Sequence, residues 1–436
     1  MWLLPWVHRL SRVASGVYYR LAVAGPSIPR HGPVLLVSNH PNALVDPVLV
    51  AAAAGRPVRF LAKAPLFRHP GLGWLVRAAG CIPVYRQQDD PSEMSRNTDS
   101  LRAAQEALAA GSAIALFPEG ISHDQPALSP LKTGAARIAL GAAGLAGRPL
   151  PIIPMGIVLR EKDRFRSEAL VAIGDPVHWE DLSARSVEDS DAVRQLTARI
   201  DDGLRAVTVN LEHWEDAPLV ECAEAVWATR HGAARDGAER VARLRVATDL
   251  LYRFRHDPAA RHPGLVAAVT RHSRTLQRFG LGPADLEANL RNETALWWSL
   301  RRIPLVLLPA VAVAAAGALL WWVPWRVTGL VAEQVKGDRD QRASYKLFGG
   351  ILIYFLWLVA LGILAAPAGA GTVIAVILGA PLLGFAGLRI RERWRESWND
   401  ARRFFLLRQR YHLLRDLRRR QRDLAEQLDA LFGSAP

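Results

Sequence analysis

The stretch from Leu347 to Leu388 contains no charged side chain, and it limits what this chain can fold into more than any other feature. An apolar helix needs about 20 residues to cross the hydrocarbon core of a bilayer, and this stretch is long enough for two such helices. The sequence Pro-Ala-Gly-Ala-Gly at 367–371 interrupts it where a turn is needed. The pattern therefore predicts two membrane helices, 347–366 and 372–388, joined as a hairpin.

A second apolar segment, 303–325, is also uncharged, but Pro304, Pro309 and Pro324 disfavour a single straight helix there. Basic flanks lie on both sides of the two segments, at 301–302, at 326–346 and from Arg389 onward. Because basic flanks stay on the cytoplasmic side of a membrane, we expect 303–325 to enter and leave on one side. We therefore expect a membrane region at 301–390 in the cell membrane, with the rest of the chain facing the cytoplasm.

Thirteen arginines and only four acidic residues lie between Arg389 and Arg422, in a chain whose net charge is +14. Such a run is typical of proteins that bind nucleic acid. Its position directly after an apolar hairpin instead favours the role of basic residues at a membrane surface. We therefore expect a phospholipid membrane as partner and no nucleic acid. The tail, 391–436, is predicted to be a basic amphipathic helix.

Residues 28–180 alternate apolar strands with alanine-rich helices, which predicts an α/β fold: a mainly parallel central sheet with helices on both faces. The predicted strands are 33–38, 57–62, 81–85, 112–117, 151–158 and 168–173, and the predicted helices are 42–54, 70–79, 97–110 and 134–146. A helical extension is expected at 181–300. Residues 1–27 are expected to form an amphipathic helix, which either lies on the membrane or packs on the domain that follows.

Polar clusters directly follow three of the predicted strands: His40 with Asp46, then Arg86, then the Pro118-Glu119-Gly120 turn. Carboxyl ends of parallel strands meet at one sheet edge, so we expect these groups to lie together. His40 is suited to be a base near neutral pH, and a carboxylate such as Asp46 would fix its tautomer. The same pattern also fits an ordinary helix start. A helix beginning at residue 42 would offer free N–H groups to an anion.

Four sequence blocks now stand in one order: Asn39-His40 with Asp46-Pro47; Lys63 to Phe67 with Gly80 to Arg86; Phe117 to Asp124 with Lys132; and Ile152 to Gly156. In this order and at these intervals they resemble the glycerolipid acyltransferase family, which contains lysophosphatidate and glycerol-3-phosphate acyltransferases. The resemblance covers about residues 28–177. It looks most like the branch that acylates glycerol 3-phosphate or dihydroxyacetone phosphate.

The resemblance implies a membrane-bound O-acyltransferase that moves an acyl chain from acyl-CoA or acyl-carrier protein to the hydroxyl of a glycerol-phosphate-type acceptor. It implies that His40 is the general base and that Asp46 orients it. No metal and no cofactor beyond the acyl donor is expected. The alternatives are a lysophospholipid-remodelling enzyme and a drifted lipid-binding protein. The residues expected to bind substrate are Asn39, Lys63, Gly80, Arg86, Pro118, Glu119, Gly120, Ser122 and Lys132.

Two departures from the commoner family pattern affect the site. Five residues separate His40 from Asp46 where four are usual, and Ser122 stands where the commoner third block has an arginine. We therefore expect Arg86 to carry most of the phosphate binding, with help from Lys63 or Lys132. The two cysteines, Cys81 and Cys222, are too few for a disulfide framework or a thiolate metal site, which indicates a reducing compartment.

Overall fold

The computed structural model describes residues 4–70, 73–86, 90–287, 308–334 and 339–432. The chain divides into two compact units, which we describe one at a time. The first unit comprises Met1–Trp214, Ala234–Thr248 and Gly337–Ser344. The second comprises Glu215–Ala233, Asp249–Lys336 and Tyr345–Pro436.

A seven-stranded sheet forms the centre of the first unit. Its strands are β1 Arg20–Ala24, β2 Val34–Ser38, β3 Arg59–Lys63, β4 Ile82–Val84, β5 Ala113–Leu116, β6 Ile152–Leu159 and β7 Glu168–Ile173. They lie in the order β1-β7-β6-β2-β5-β3-β4. All neighbours are parallel except β6 and β7, which are antiparallel. The predicted α/β fold with a mainly parallel sheet is confirmed.

Strand β1 was not predicted, because residues 1–27 were expected to be helical. The N-terminal helix α1 covers Leu4–Tyr18, and β1 follows it and pairs in parallel with β7. The apolar residues Val17 and Leu21 continue the helical spacing of α1, so the sequence pattern hides the change of structure. At this sheet edge Arg20 lies opposite Glu168 and forms an ion pair with it at 3.2 Å. The sheet therefore begins at Arg20, before the predicted boundary at residue 28.

Helices cover both faces of this sheet. Leu35 and Val37 of β2 point into a core shared with the helices that follow β4, β5 and β7, while Val34 and Leu36 are buried on the opposite face. The helices are α2 Val45–Ala54, α3 Ala64–Arg68, α4 Gly73–Ala78, α5 Asn97–Ala109, α6 Gly134–Ala146 and α7 Ser190–Val207. Short 3₁₀ turns lie at Pro91–Arg96 and Glu180–Leu182.

Helix α7 belongs to the sheet core although the sequence placed it in the helical extension. Its residues Leu196, Ile200 and Leu204 are buried in the same cluster as Leu35 and Ile152. These apolar positions recur at intervals of four, so α7 presents one apolar stripe to the sheet. The predicted helix at 70–79 is also different: α4 begins only at Gly73, and residues 71–72 lie outside the described part.

The second unit is built from helices. They are α8 Ala217–His231, α9 Gly237–His256, α10 Pro263–Phe279, α11 Pro283–Leu286, α12 Leu308–Leu320, α13 Trp322–Gln334, α14 Arg339–Ala365, α15 Ala370–Gln409 and α16 Tyr411–Phe432. The first residues of α9 and α14 belong to the first unit. Further 3₁₀ turns lie at Trp214–Asp216, Pro258–Ala260 and Ala366–Ala368. The C-terminal helix α16 packs on α8 and α10, with Leu424 and Leu428 buried beside Val226 and Val269.

Two helices of the second unit are long and apolar enough to cross a membrane: Arg342–Ala368 and Ala370–Gln409. They stand where the sequence predicted the hairpin. The pair α12 and α13 passes the same test together but is bent by 46° between Leu320 and Trp322, as in a broken span or a re-entrant loop. Residues 303–307 of the predicted apolar segment lie outside the described part.

Small residues allow α12 and α15 to lie close together. A Cβ on Gly384 would meet the Trp321 indole at 2.3 Å, and one on Gly317 would meet the Leu383 carbonyl at 2.9 Å. Close helix contact through small residues is the usual packing mode within a bilayer. Helix α15 does not end at the predicted boundary near residue 390, and it continues through the arginine run to Gln409.

Candidate active site

The turn after β2 brings His40 and Asp46 together. His40 Nδ1 and Asp46 Oδ2 are 2.8 Å apart, and the same oxygen accepts the Asn42 N–H at 2.6 Å. Because an amide N–H can only donate, Oδ2 acts as an acceptor, and His40 donates its Nδ1 proton to it. The Nε2 lone pair is then available. Among the described residues, none is hydrogen-bonded to His40 Nε2, and 18% of the His40 side chain is exposed. The imidazole also stacks on Phe117, with ring centres 4.1 Å apart.

The amides at the start of α2 are already engaged, which corrects the expectation of a free anion site there. Asn42 N–H donates to Asp46, Leu44 N–H donates to the Ser344 hydroxyl, and Val45 N–H donates to the Asn42 carbonyl. The helix also starts later than predicted, at Val45. The turn therefore uses these N–H groups to hold its own shape.

Asp46 is fully buried, and burial raises the pKa of its carboxyl. Its second oxygen, Oδ1, has no hydrogen-bond partner among the described residues, which adds to the cost of its charge. The hydrogen bonds from His40 and Asn42 oppose the effect of burial on that pKa. A carboxylate held in this way attracts a proton on the neighbouring imidazole and stabilises the imidazolium when it forms.

Glu119 holds the second loop of the site against the first. Its side chain is fully buried, and Oε1 accepts the His40 backbone N–H at 2.8 Å. Oε2 accepts the Ser129 N–H at 2.8 Å and also bonds to His123 Nε2. The backbone N–H of His123 in turn donates to the His40 backbone carbonyl at 3.2 Å. These contacts are all with protein groups, so in the structure Glu119 fixes the loop that carries His40; its binding of substrate stays a prediction.

Arg86, the Pro118–Gly120 turn and Lys132 lie on one side of the site. Arg86 Nη1 is 3.4 Å from the Gly120 carbonyl, and Lys132 N–H donates to the Pro118 carbonyl at 2.8 Å. Gly120 has φ +74, and a Cβ there would meet Lys132 Cε at 2.8 Å. The Lys132 side chain therefore crosses directly over Gly120. Two cationic groups thus lie beside the turn that also positions His40.

The remaining predicted site residues have different surroundings. Asn39 bonds through its side-chain amide to both backbone groups of Ile157, at 3.0 and 2.7 Å, and so ties β2 to β6 beyond the ladder. Gly80 has φ +70, and its carbonyl accepts from Arg59 Nε at 2.8 Å. Lys63 is the exposed last residue of β3, opposite Val84. Ser122 is half-buried in the loop after Gly120. Binding of substrate by these four residues stays a prediction.

An acyltransferase family model matches residues 20–158, the segment that carries all of the predicted site residues. Glycerol-3-phosphate O-acyltransferase 1 of Saccharomyces cerevisiae is 36% identical over 132 residues, which are 29% of this chain and 17% of that protein. A chloroplastic 1-acyl-sn-glycerol-3-phosphate acyltransferase of Arabidopsis thaliana is 27% identical over 166 residues, 37% of this chain and 44% of that protein. Residues 20–158 thus form an acyltransferase domain similar to those of glycerolipid acyltransferases.

The crystal structure of a 1-acyl-sn-glycerophosphate acyltransferase from Thermotoga maritima covers 46% of this chain and 76% of its own length, at 22% identity and a TM-score of 0.35. This chain spans less than a fifth of the length of the first yeast relatives, 19% and 17%.

The acyltransferase domain accommodates its longer His40–Asp46 spacing in the turn itself. Ala43 has φ 45, a left-handed conformation that residues with a Cβ seldom adopt. Its carbonyl accepts the Asp46 N–H at 3.4 Å, which closes the first turn of α2. The longer spacing made the His–Asp geometry uncertain from sequence. The structure brings the two side chains within hydrogen-bond distance.

Sequence reasoning missed residues that lie behind the acyltransferase site. The Asn42 side chain is fully buried and donates to the Tyr19 hydroxyl at 3.1 Å and to the Lys162 carbonyl at 3.2 Å. The Tyr19 hydroxyl donates to the same carbonyl. No sequence pattern joins residues so far apart. His123 is different, because it stands four residues after Glu119, a spacing that could have indicated the pair.

Proposed function

We propose that this protein transfers an acyl chain from an acyl thioester to a hydroxyl of a glycerol-phosphate-type acceptor, in the synthesis of phospholipids. The observation that carries the proposal is the 2.8 Å contact between His40 Nδ1 and the buried Asp46, with Nε2 without a hydrogen-bond partner among the described residues. A carboxylate on one ring nitrogen makes the other nitrogen a base. The pair lies in an acyltransferase domain, and acyl transfer to a hydroxyl needs a base that removes the proton of that hydroxyl.

In the proposed reaction, His40 Nε2 takes the proton of the acceptor hydroxyl as its oxygen attacks the thioester carbonyl. The new C–O bond forms, the C–S bond breaks, and the imidazolium returns its proton to the departing thiolate sulfur. Asp46 stabilises the imidazolium between these steps. General base catalysis of this kind is worth roughly 10²–10⁴ in rate. The transfer is direct, since the sequence has no serine or cysteine nucleophile motif.

We propose that Arg86 and Lys132 receive the phosphate of the acceptor. Both lie beside the Pro118–Gly120 turn, which also holds the His40 loop through Glu119. A guanidinium offers paired donors to phosphate oxygens, and a lysine offers a point charge. Relatives named for glycerol 3-phosphate and for 1-acylglycerol 3-phosphate both support a phosphorylated acceptor.

The test is a transfer assay on the full chain, purified in detergent. Labelled acyl-CoA and acyl-carrier protein are each offered with glycerol 3-phosphate, dihydroxyacetone phosphate or lysophosphatidate. We expect acylation of at least one of the three acceptors. The rival function, a lipid-binding protein without catalysis, predicts lipid binding and no product with any pair, and that result would overturn the proposal.

Arg86→Ala tests the acceptor site within the same assay. Removal of a charge-assisted contact costs roughly 1.5–3 kcal/mol, so the acceptor KM should rise about tenfold or more while the donor KM stays close to that of wild type. Arg86→Lys should restore part of the loss. The matched control is Arg102→Ala, which removes an exposed arginine paired with Glu106 on α5. An unchanged acceptor KM in Arg86→Ala would exclude this residue from the phosphate site.

We also propose that the protein works at the cytoplasmic face of the membrane. Helix α1 exposes Trp6, Leu10, Val13 and Val17 at helical spacing, while its serines Ser11 and Ser15 are buried. An apolar stripe turned outward beside arginines fits a bilayer surface. The basic flanks of the membrane helices support the same side of the membrane.

Cysteine labelling in intact cells tests this orientation. Burial raises the pKa of Cys222 to about 11 and also raises that of Cys81, so both native thiols should react slowly. We expect a membrane-impermeant maleimide to label Glu333→Cys and Trp398→Cys only after the cells are permeabilised. Both positions are exposed. Labelling of Glu333→Cys in intact cells would show that α12 and α13 form a true span.

A further inference from the structure

The catalytic turn, defined as residues 40–46, is held at one point by a residue 300 positions away in the sequence. The N–H of Leu44 donates to the Ser344 hydroxyl at 3.1 Å. Ser344 lies in the first turns of α14, near the start of the stretch Arg342–Ala368 that is long and apolar enough to cross a membrane. We infer that Ser344 is a positioning residue for the proposed acyl transfer: its hydroxyl holds the catalytic turn in the shape that places Asp46 against His40.

The catalytic turn depends on this contact because three of its other amides bond within the turn, while the His40 N–H is held by Glu119. Asn42 N–H donates to the Asp46 side chain, Val45 N–H to the Asn42 carbonyl, and Asp46 N–H to the Ala43 carbonyl. Between Asn42 and Asp46, Leu44 N–H is the described amide that bonds to a distant part of the chain. The Leu44 N–H is partly buried, and the loss of its acceptor would cost up to about the free energy of one hydrogen bond, so the Ser344 hydroxyl stabilises the turn in this form.

The conformation of Ala43 gives the turn a reason to move if that contact is lost. Ala43 has φ 45, and a residue with a Cβ is less stable there than in the right-handed region. Such a conformation persists only where surrounding contacts determine it. The Leu44 amide follows Ala43 directly, so a hydrogen bond from it fixes the peptide plane on the C-terminal side of the strained residue. Without that bond, we expect Ala43 to relax and Asp46 to shift from His40.

The surroundings of Ser344 make it a fixed point. Ser344 is 6% exposed and its neighbour Ala343 is fully buried, and residues up to Ser344 belong to the first unit together with the catalytic turn. A buried helical side chain has little freedom to rotate, so its oxygen stays where the Leu44 amide needs it. The part of the chain that enters the membrane thus supplies a contact on which the proposed catalytic geometry depends.

The test compares Ser344→Ala with Ser273→Ala in the full chain. Ser273 is a matched control, since it is also a buried helical serine, at 7% exposed, but it contacts the Pro218 carbonyl on another helix. A hydrogen bond of this kind contributes about 0.5–1.5 kcal/mol, so kcat of Ser344→Ala should fall about three- to tenfold. Acceptor and donor KM values should change less than about twofold, because the phosphate site is not touched.

A rescue separates positioning from general damage. In Ser344→Ala combined with Ala43→Gly, residue 43 adopts a positive φ without steric cost, so the turn should keep its shape and regain most of the lost kcat. A merely structural loss at Ser344 would not be reversed by a change at residue 43. If the double variant is no more active than Ser344→Ala, or if Ser344→Ala keeps the wild-type kcat, the inference is wrong.

Amide hydrogen exchange decides the inference even if the proposed function fails. Peptides that cover residues 42–46 should exchange faster in Ser344→Ala than in wild type, and at the wild-type rate in Ser273→Ala. Wild-type protein without any transfer activity would overturn the proposed function, and unchanged exchange in Ser344→Ala would overturn the role of Ser344. The two failures are therefore distinguishable.

Discussion

Two histidine–carboxylate pairs stand next to each other in this domain, and they differ in what surrounds the imidazole. In the first pair, His40 bonds to Asp46 through Nδ1, and its Nε2 has no described partner. In the second, His123 bonds to Glu119 through Nε2, while its Nδ1 accepts the Gln125 N–H at 3.2 Å. Both carboxylates are fully buried, and both histidine side chains are mostly covered, with 18% and 13% exposed.

The difference shows that residue types alone do not make a base. Gln125 N–H can only donate, so it fixes the proton of His123 on Nε2, where it points at Glu119. Both nitrogens of His123 are then used within the protein. His40 has the opposite arrangement, because its proton is bonded to Asp46 and its Nε2 has no described hydrogen-bond partner. This arrangement suits the first pair to the proposed proton transfer, whereas the second pair holds two loops together.

The largest effect should come from replacing the two histidines one at a time. His40→Ala removes the proposed base and should lower kcat by roughly 10²–10⁴. His123→Ala should lower activity by about tenfold or less, because its role is to fix Glu119. The measurement is acyl transfer by each purified variant, with circular dichroism as a control for folding. Equal losses in both variants would remove the distinction between the pairs.

The next contrast replaces the two carboxylates with amides. Asp46→Asn presents an NH₂ group that can force the wrong His40 tautomer, so kcat should fall by about 10²-fold with little loss of stability. Glu119→Gln replaces one acceptor oxygen with an NH₂ group, which then faces the backbone N–H of His40 or of Ser129. Two buried donors that face each other cost about 1–3 kcal/mol, so the main effect should be a lower unfolding temperature. Thermal unfolding and kcat are measured on the same samples. A stable Glu119→Gln variant with kcat as low as that of Asp46→Asn contradicts the division of roles.

The smallest effect is a pH dependence of stability due to Asp46. The unfolded chain releases this proton near pH 3.9, and burial keeps it bound to higher pH in the folded protein. Between the pKa of Asp46 in the unfolded chain and its higher pKa in the folded protein, the folded state binds more protons. The contribution of Asp46 to the free energy of unfolding therefore falls as pH rises. The stability of wild type relative to Asp46→Asn should therefore decrease from about pH 4 toward neutral pH. A relative stability that increases with pH would mean that the Asp46 pKa is lowered by folding.

Much of the sheet could be predicted because its strands are short apolar runs bounded by polar turns. Strands β2 and β5 to β7 agree with the predicted ranges to within one or two residues. The first histidine pair was also predicted, since a polar cluster after a buried strand indicates a site. Strand β1 was missed because its residues continue the spacing of α1, and edge strands carry a weak apolar signal.

The parts of the site that sequence could not supply come from distant segments. Tyr19 and Lys162 support Asn42, and Ser344 supports Leu44, yet none lies in the same block as its partner. Their meeting depends on how helices and strands pack, which local patterns do not encode. Ala43 is a further case: nothing in the sequence says that an alanine takes a positive φ. The proposed catalytic pair was predictable, but the contacts that orient it were not.

The length of helix α15 limits where this chain can tolerate insertions and deletions. Its 40 residues extend for about 60 Å, roughly twice the thickness of a bilayer's hydrocarbon core. Near one end Gly384 lies against Trp321, and near the other Leu407 is buried beside Leu276. One residue added between Gly384 and Leu407 would rotate one contact by about 100° relative to the other. Insertions and deletions should therefore be rejected within this helix and tolerated at the Ala366–Ala368 turn before it.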